Sequence, residues 1–358
     1  MTATRKPPTI QDVARFAKVS AATVSRVLSS PERVSEATRE RVTEAVRATG
    51  YTINQAARSL RMRATRTILI AVPNMGNPYY STILDAVVSE AAPRGYGVLV
   101  ANRLGENPTE WLRDYFFSNR ADGLLLFDAS LDEEELSHLP LVHGRLPLVV
   151  VCDEVLAPRF NMVTTDNAAA SRRAVRHLVD LGHRRIGNVR GRQVKALTNE
   201  RWLGFQQEMH AAGLAIREDW IFQGDHSIDS GYEAGRRFAG MRDRPTAVFA
   251  ANDEMAIGFI SAIQAFGLRC PDDVSVIGFD DITMARHYTP PLTTMRQPRD
   301  QLGRRSTEAL LDILEGVPLD SEPFRLVLTS ELVVRASTAP PPGPALAGSV
   351  RAHDMRDT

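Results

Sequence analysis

The chain has 358 residues, 43% of them hydrophobic and 24% charged, enough for two or three domains with sizeable apolar cores. Its formal net charge of +0 hides an asymmetry: residues 1–66 carry 13 Lys+Arg against 5 Asp+Glu, net +8, and the remainder carries 30 against 38, net −8. No stretch approaches the roughly 18 consecutive apolar residues of a membrane span, and no apolar signal core opens the chain. A cytoplasmic protein without a membrane partner is therefore expected, its two cysteines, Cys152 and Cys270, reduced and buried.

Thr9-Ile-Gln-Asp12 has the capping-box spacing that starts a helix, and Val13, Phe16 and Ala17 give that helix an apolar face. Lys18-Val19-Ser20 makes a tight turn into a second short helix, Ser20 to Leu28. Val24, Val27 and Leu28 turn inward there, and Ala21, Ala22, Ser25 and Arg26 turn outward. Two short helices joined by about three residues fit helix-turn-helix geometry, in which the second helix enters the major groove. A third helix, Ser35 to Thr49, packs behind them through Val42, Ala45 and Val46, and Gly50 ends it. Amphipathic helix pairs in ordinary domains share this pattern. The net +8 of residues 1–66 is what points to a separate nucleic-acid module.

Beyond the polar, Arg-rich stretch Thr52 to Thr67, short apolar runs alternate with amphipathic helical segments. Ile68–Val72, Val98–Ala101, Leu124–Phe127, Leu148–Val151 and Met162–Val163 read as strands, with helices at Tyr80–Ala92, Thr109–Phe117 and Glu133–Leu139 between them. A second series has strands near Ile186–Val189, Trp220–Phe222, Ala247–Ala250 and Val274–Ile277. Its helices lie at about Ala168–Leu181, Glu200–Ala212, Ser230–Gly240 and Glu254–Phe266. Strand–helix alternation in two runs predicts an α/β core of two doubly wound parallel-sheet subdomains. The Pro-, Gly- and Ala-rich tail, 339–358, has no periodicity and is expected to be disordered.

Val19-Ser-Ala-Ala-Thr-Val-Ser-Arg26, Arg33-Val-Ser-Glu-Ala-Thr-Arg39, Gly50-Tyr51 and Ala57-Arg-Ser-Leu60 together resemble the LacI/GalR transcriptional regulators, and the resemblance runs from about Thr9 to Ser337. It implies a helix-turn-helix DNA-binding domain at 1–51, a hinge helix and linker at 52–66, and a periplasmic-binding-protein-like effector core at 67–338. Within the core it implies an N-subdomain of about 67–165 and 293–323 and a C-subdomain of about 166–292 and 324–338. The late strand Leu292–Met295 and the helix Asp300–Leu314 would then return to the first subdomain, and Phe324–Val334 to the second. Asn54 to Leu60 resembles the family's hinge helix, with Ala57 and Leu60 on one face and Leu60 as a minor-groove wedge. Relatives usually begin this helix with Pro, where Ile53 stands here, so the hinge should form only when two copies pair on DNA.

In the head, Arg26 can reach guanine or phosphate and Ser25 a base edge, while Ala21 and Ala22 offer only methyl-scale contacts. Specificity then leans on Arg26 and on DNA deformability. Thr9, Thr23 and Arg33 are phosphate-clamp candidates or solvated surface. Asn54 joins them through the hinge resemblance.

Ligands of open parallel sheets sit beyond the carboxyl ends of the strands, where this chain places Asn74, Asn102, Asp128, Asp153, Asp166, Arg190, Asp225, Asn252, Asp253, Asp280 and Asp281. Asp and Asn also serve turns and helix caps, so each residue has a structural alternative. As a set they describe a cleft that reads hydroxyls. The resemblance narrows the set. Tyr79 and Tyr80 in Asn77-Pro-Tyr-Tyr80 match the family's loop after the first strand, and Arg201 matches its effector-gripping arginine. Lys195 and Leu197 lie on the preceding loop, and His226 stands where relatives often carry an aromatic. Asn74, Asn252, Asp253 and Asp280 complete the effector set. Asp166 either joins it or caps its helix. Cys152-Asp153-Glu154 departs from the Asp that many relatives carry after the fourth strand. With Ser30-Pro-Glu-Arg-Val-Ser35, it is similar to the cytidine-repressor branch.

The expected protein is a dimeric transcriptional repressor that binds a pseudo-palindromic operator and is controlled by a small sugar-like effector, with release favoured over co-repression; a nucleoside is the alternative effector. The tail lacks the leucine heptads with which some relatives tetramerise. A solute-binding receptor or a sugar-acting enzyme would also suit the core, but neither uses a basic head. No Gly-x-Gly-x-x-Gly follows the first strand, and no Walker sequence or metal-ligand set is present. Neither catalysis, metal nor cofactor is expected.

Overall fold

A computed structural model describes residues 8–52, 64–102, 108–118, 120–127, 136, 139–152, 160–192, 196–318 and 322–342. The hinge positions Ile53, Asn54, Ala57 and Leu60, most of the helix expected at 133–139, and Asp128, Asp153, Glu154 and Lys195 lie outside them. The chain divides into two compact units, Met1–Thr65 and Arg66–Thr358. No helix among the described residues is long and apolar enough to cross a membrane.

The first unit is built on α1 (Ile10–Ala17), α2 (Ala21–Ser29) and α3 (Glu36–Thr49). The Asp12 carboxylate accepts the Thr9 amide at 2.9 Å and the Thr9 hydroxyl at 2.7 Å, closing the start of α1. Lys18, at φ 51, turns the chain, and the Ser20 hydroxyl accepts the Thr23 amide at 3.1 Å to cap α2. Val13, Val24, Val42 and Ala45 form a core with no solvent exposure. Gly50, at φ 67, ends α3.

Phe16 does not join this core; it is 58% exposed. At 100° per residue it stands about 100° from the middle of the stripe made by Val13, Ala14 and Ala17, and the Val and Ala side chains already fill the space between the helices.

The second unit contains two sheets. Strands β1 (Thr67–Val72), β2 (Gly97–Asn102), β3 (Gly123–Leu126), β4 (Leu148–Val151) and β5 (Asn161–Thr165) lie in the first, ordered β5-β4-β3-β1-β2 and parallel throughout. Strands β6 (Ile186–Arg190), β7 (Ile221–Gln223), β8 (Ala247–Ala250), β9 (Ser275–Asp280) and β10 (Thr293–Arg296) lie in the second, ordered β10-β9-β8-β6-β7 and likewise parallel. Central strands such as β3, β4 and β8 are buried along their whole length, which is why they read as continuous apolar runs rather than alternating ones. The helices are α4 (Tyr79–Ala91), α5 (Pro108–Phe117), α6 (Asn167–Asp180), α7 (Ala196–Ala211), α8 (Ile228–Gly240), α9 (Asp253–Ala265), α10 (Thr283–His287) and α11 (Arg299–Leu314).

The crossings differ from expectation. Residues 293–296 do not return to the first subdomain: β10 pairs in parallel with β9 in the second sheet. Only the short α10 connects them, and the Thr294 hydroxyl donates at 2.6 Å to the buried Asp253 on α9. The chain returns one step later, through Gln297 and Pro298, and α11 packs on α4, β3 and β4 as expected. Strand β11 (Arg325–Leu328) then pairs with β5 in the first sheet rather than the second. Only β12 (Glu331–Val333) reaches the second sheet, antiparallel to β10. Apolar patterning marks a strand and cannot say which of two similar sheets it extends.

Two smaller differences stand beside these. Strand β7 begins at Ile221 because Glu218–Trp220 forms a single 3-10 turn. The start of the tail is fixed: the Ala339 amide donates to the Ser275 hydroxyl at 3.0 Å, and its carbonyl lies 2.9 Å from Nε2 of the buried His183. Residues 343–358 are outside the described set. Cys152 and Cys270 are buried thiols not joined in a disulfide, and burial pushes Cys270 up to about 12.

Candidate functional site

On the head, the outward face of α2 carries Ala22 and Arg26, both exposed, with Thr23 and Ser25 half-buried beside them. Ala21 is half-turned into the core and packs against it, so it offers less surface than its sequence position suggests. Thr9 spends its hydroxyl on Asp12, which leaves its oxygen lone pairs for a partner. Arg33 projects from the 3-10 turn Pro31–Arg33, close to Glu32 at 3.6 Å.

In the second unit the carboxyl ends of both sheets face a cavity of about 350 Å3. One wall comes from the first subdomain: Asn74 and Asn77 after β1, Tyr79 and Tyr80 at the start of α4, Asn102 after β2, Phe127 and Cys152. The aromatic rings interlock edge to face, Tyr79 with Tyr80 at 5.2 Å and Tyr80 with Phe127 at 5.8 Å. Tyr79 is only 7% exposed. Its hydroxyl lies 3.1 Å from Gln297 Oε1 and 3.2 Å from Cys152 Sγ, so it presents a ring edge rather than its hydroxyl. Asn102 Oδ1 is buried without a hydrogen-bond partner among the described residues.

The opposite wall carries Arg192, Leu197, Arg201, Asp225, His226, Asn252 and Asp280. Arg201 is 6% exposed and held on every side. Its Nε donates to Asn167 Oδ1 at 2.9 Å, one terminal nitrogen donates to the Ala251 carbonyl at 2.6 Å, and the other lies 3.7 Å from Asp280. The guanidinium also stacks 3.8 Å over the Phe279 ring. Burial raises Asp280 to about 6, although Arg201, Gln297 and Arg299 pull it down. Burial and the charge of Asp280 likewise lift Glu254 to about 7. At the cavity mouth, the Ser227 hydroxyl and amide hold Asp225 down at about 2.

His226 sits at φ 73, its carbonyl accepting from the Asn252 side chain at 3.0 Å. Its ring lies against Gly191 so closely that a Cβ there would collide with it, so Gly191 is the residue that lets the imidazole lie at the wall.

Of the residues expected from sequence to grip an effector, the cavity gathers Asn74, Tyr79, Tyr80, Leu197, Arg201, His226, Asn252 and Asp280. Asp166 is not among them. It is exposed and caps α6, accepting the Ala169 amide at 2.8 Å. Asp253 is also elsewhere: fully buried, it accepts from the Thr294 hydroxyl at 2.6 Å and the Ile282 amide at 2.9 Å. Burial and the nearby Asp280 drive its pKa well up. Arg190 turns away to stack 4.2 Å over Trp202. Asp281 bonds Arg296 and Arg335; burial pushes its pKa up, but these bonds outweigh that and bring it below the usual range. Sequence reading missed Asn167 and Gln297, the residues that orient Arg201 and Asp280, because neither lines the cleft and each is marked only by the partner it meets in the fold.

A helix-turn-helix head joined in one chain to a two-sheet core with a polar, aromatic-walled cleft defines a ligand-responsive DNA-binding regulator. Residues 9–54 match the family described as bacterial regulatory proteins, lacI family, and residues 175–338 match the periplasmic binding protein-like domain. The chain belongs to the LacI family of transcriptional regulators. It is 36% identical over 339 residues to the HTH-type transcriptional repressor CytR of Escherichia coli (strain K12), covering 92% of this chain and 96% of that one. The solved lac repressor dimer bound to operator and the anti-inducer ONPF matches with a TM-score of 0.81 at 29% identity, over 93% of this chain and 100% of that one. The transcriptional regulator CelR–cellobiose complex matches with a TM-score of 0.68 at 32% identity, over 92% and 99%.

Proposed function

We propose that the protein represses transcription as a homodimer on a pseudo-palindromic operator and is released when a small sugar-like effector binds the cleft. The observation that carries the effector reading is the buried Arg201–Asp280 pair opposite the Tyr79–Tyr80–Phe127 wall. Charged donors and acceptors read hydroxyls, and aromatic edges cover the apolar side of a ring. Thr9, Ala21, Ala22, Thr23, Ser25, Arg26 and Arg33 are the residues assigned to DNA in the head, with Asn54, Ala57 and Leu60 from the hinge. The edge strand β2 and helix α4 support pairing of two copies, since Leu99, Val100 and Val88 are 40%, 36% and 48% exposed there.

A nucleoside is the second reading. The cleft is divided between an aromatic wall with Asn102 Oδ1 unpaired and a charged wall, and base and ribose would meet one each. A thermal-shift panel of neutral sugars, sugar phosphates and nucleosides tests both. A neutral sugar is expected to raise the melting midpoint, by about 2.7 kcal/mol of stabilisation at 100 times its Kd. A shift with nucleosides alone would replace the sugar reading, and no shift with any compound would remove the effector reading.

A further inference from the structure

Gln297 lies in the crossing between β10 and α11, is 3% exposed, and stands behind the residues that line the cleft. Its Oε1 accepts the Tyr79 hydroxyl at 3.1 Å and the Thr165 hydroxyl at 3.0 Å. An amide oxygen has two lone pairs, so these donors fix which way the amide faces. Nε2 must then donate on the other side, and it does, to Asp280 Oδ1 at 2.6 Å. The same Oδ1 is the atom nearest Arg201. Oδ2 has no partner among the described residues, and Asp280 lines the cleft.

We propose that Gln297 is a positioning residue for ligand specificity: it commits one oxygen of Asp280 to the protein and leaves the other to accept a hydrogen bond from an effector hydroxyl. The inference rests on the cleft being an effector site. It adds that Tyr79 and Thr165, on the first subdomain, set the chemistry presented by Asp280 on the second. Two of the chain's crossings, at Thr165 and at Gln297, thus meet in one hydrogen-bonded group.

Two kinds of measurement separate this from a filling role. Gln297→Glu keeps the volume but sets carboxyl against carboxyl. At pH 5 one proton can be shared between the two. By pH 8 the unfolded chain has released both protons, and the folded pair must either keep one against that gradient or face charge against charge, in a group that also includes Arg201, Arg299, Asp253 and Glu254. A carboxyl whose folded pKa is raised loses stability as pH rises through that value. The melting midpoint of ligand-free Gln297→Glu is therefore expected to fall below wild type by about 5 °C or more at pH 8 and by far less at pH 5. Gln297→Leu is expected to lose a similar amount at both pH values. Adding Asp280→Asn to Gln297→Glu restores the pair with donor and acceptor exchanged, and should recover most of the pH 8 loss.

The specificity claim reads out in the same panel of sugars and nucleosides. Asp280→Asn alone turns its NH2 into the cleft, so the compound that stabilises wild type should lose its shift. In the double variant the amide oxygen faces the cleft again, and the shift should return. Equal destabilisation of Gln297→Glu at both pH values, or no rescue by Asp280→Asn, would overturn the proposal. The ligand-free arms are independent of the effector, so failure of the wild type to bind any panel compound would strike the effector reading instead.

Discussion

Replacing Arg201 by alanine is expected to abolish the thermal shift given by the effector while leaving operator binding intact. The guanidinium is the one cation on the cleft's floor, among the described residues, that is both buried and aligned by two hydrogen bonds. Losing charge-assisted bonds of about 2–3 kcal/mol weakens binding on the order of 100-fold. Truncation also leaves Asn167 Oδ1, the Ala251 carbonyl and Asp280 without their cation. Breaking a buried pair typically costs about 3–5 kcal/mol, so the second unit should melt earlier. The head has its own core of Val13, Val24, Val42 and Ala45, so its contacts with DNA do not depend on that loss. Calorimetry on the folded variant and anisotropy with an operator duplex separate the two effects. Effector binding that survives unchanged would mean the ligand sits elsewhere.

Asp253→Ala is expected to act on stability and not on recognition. Its carboxyl is fully buried and accepts from the Thr294 hydroxyl and the Ile282 amide, which tie β10 and the segment after β9 to α9. Each orphaned donor costs about 1–3 kcal/mol, so the melting midpoint should fall by roughly 5–15 °C. Asp253→Asn should lose far less, because its carbonyl can accept from Ile282 while its NH2 donates to Thr294. Burial already favours the neutral carboxyl, which Asn imitates. The effector's shift should persist in both variants. A normal midpoint with lost effector binding would instead return Asp253 to the ligand.

The contrast between Arg201 and Asp253 shows how far sequence carries the reading. Sequence assigns both to the effector: Asp253 follows the end of β8, whereas Arg201 lies within α7 and is picked out by the family resemblance. Strand–helix alternation puts Asp253 at the correct end of the sheet, because that depends only on apolar periodicity. It could not say which side chain turns into the cavity and which turns under it. For Asp253 that is decided by a hydroxyl on β10, a strand whose sheet was itself misassigned. Phe16 makes the same point in the head: a large apolar residue one position off the buried stripe stays exposed when small side chains fill the core. Gln297 and Asn167 escaped notice for the opposite reason. They become visible only when their partners Asp280 and Arg201 have been brought together.

The central claim is that one molecule links the cleft to the operator. Its direct test is the affinity of the full-length protein for a duplex selected by it from a random pool, measured by fluorescence anisotropy with and without the panel compound that stabilises the core. Thermodynamic linkage requires that the compound weaken DNA binding by the same factor by which DNA weakens the compound, typically about 5–150-fold. Equal DNA affinity at zero and saturating compound would contradict the account, since a ligand that binds both states alike shifts neither.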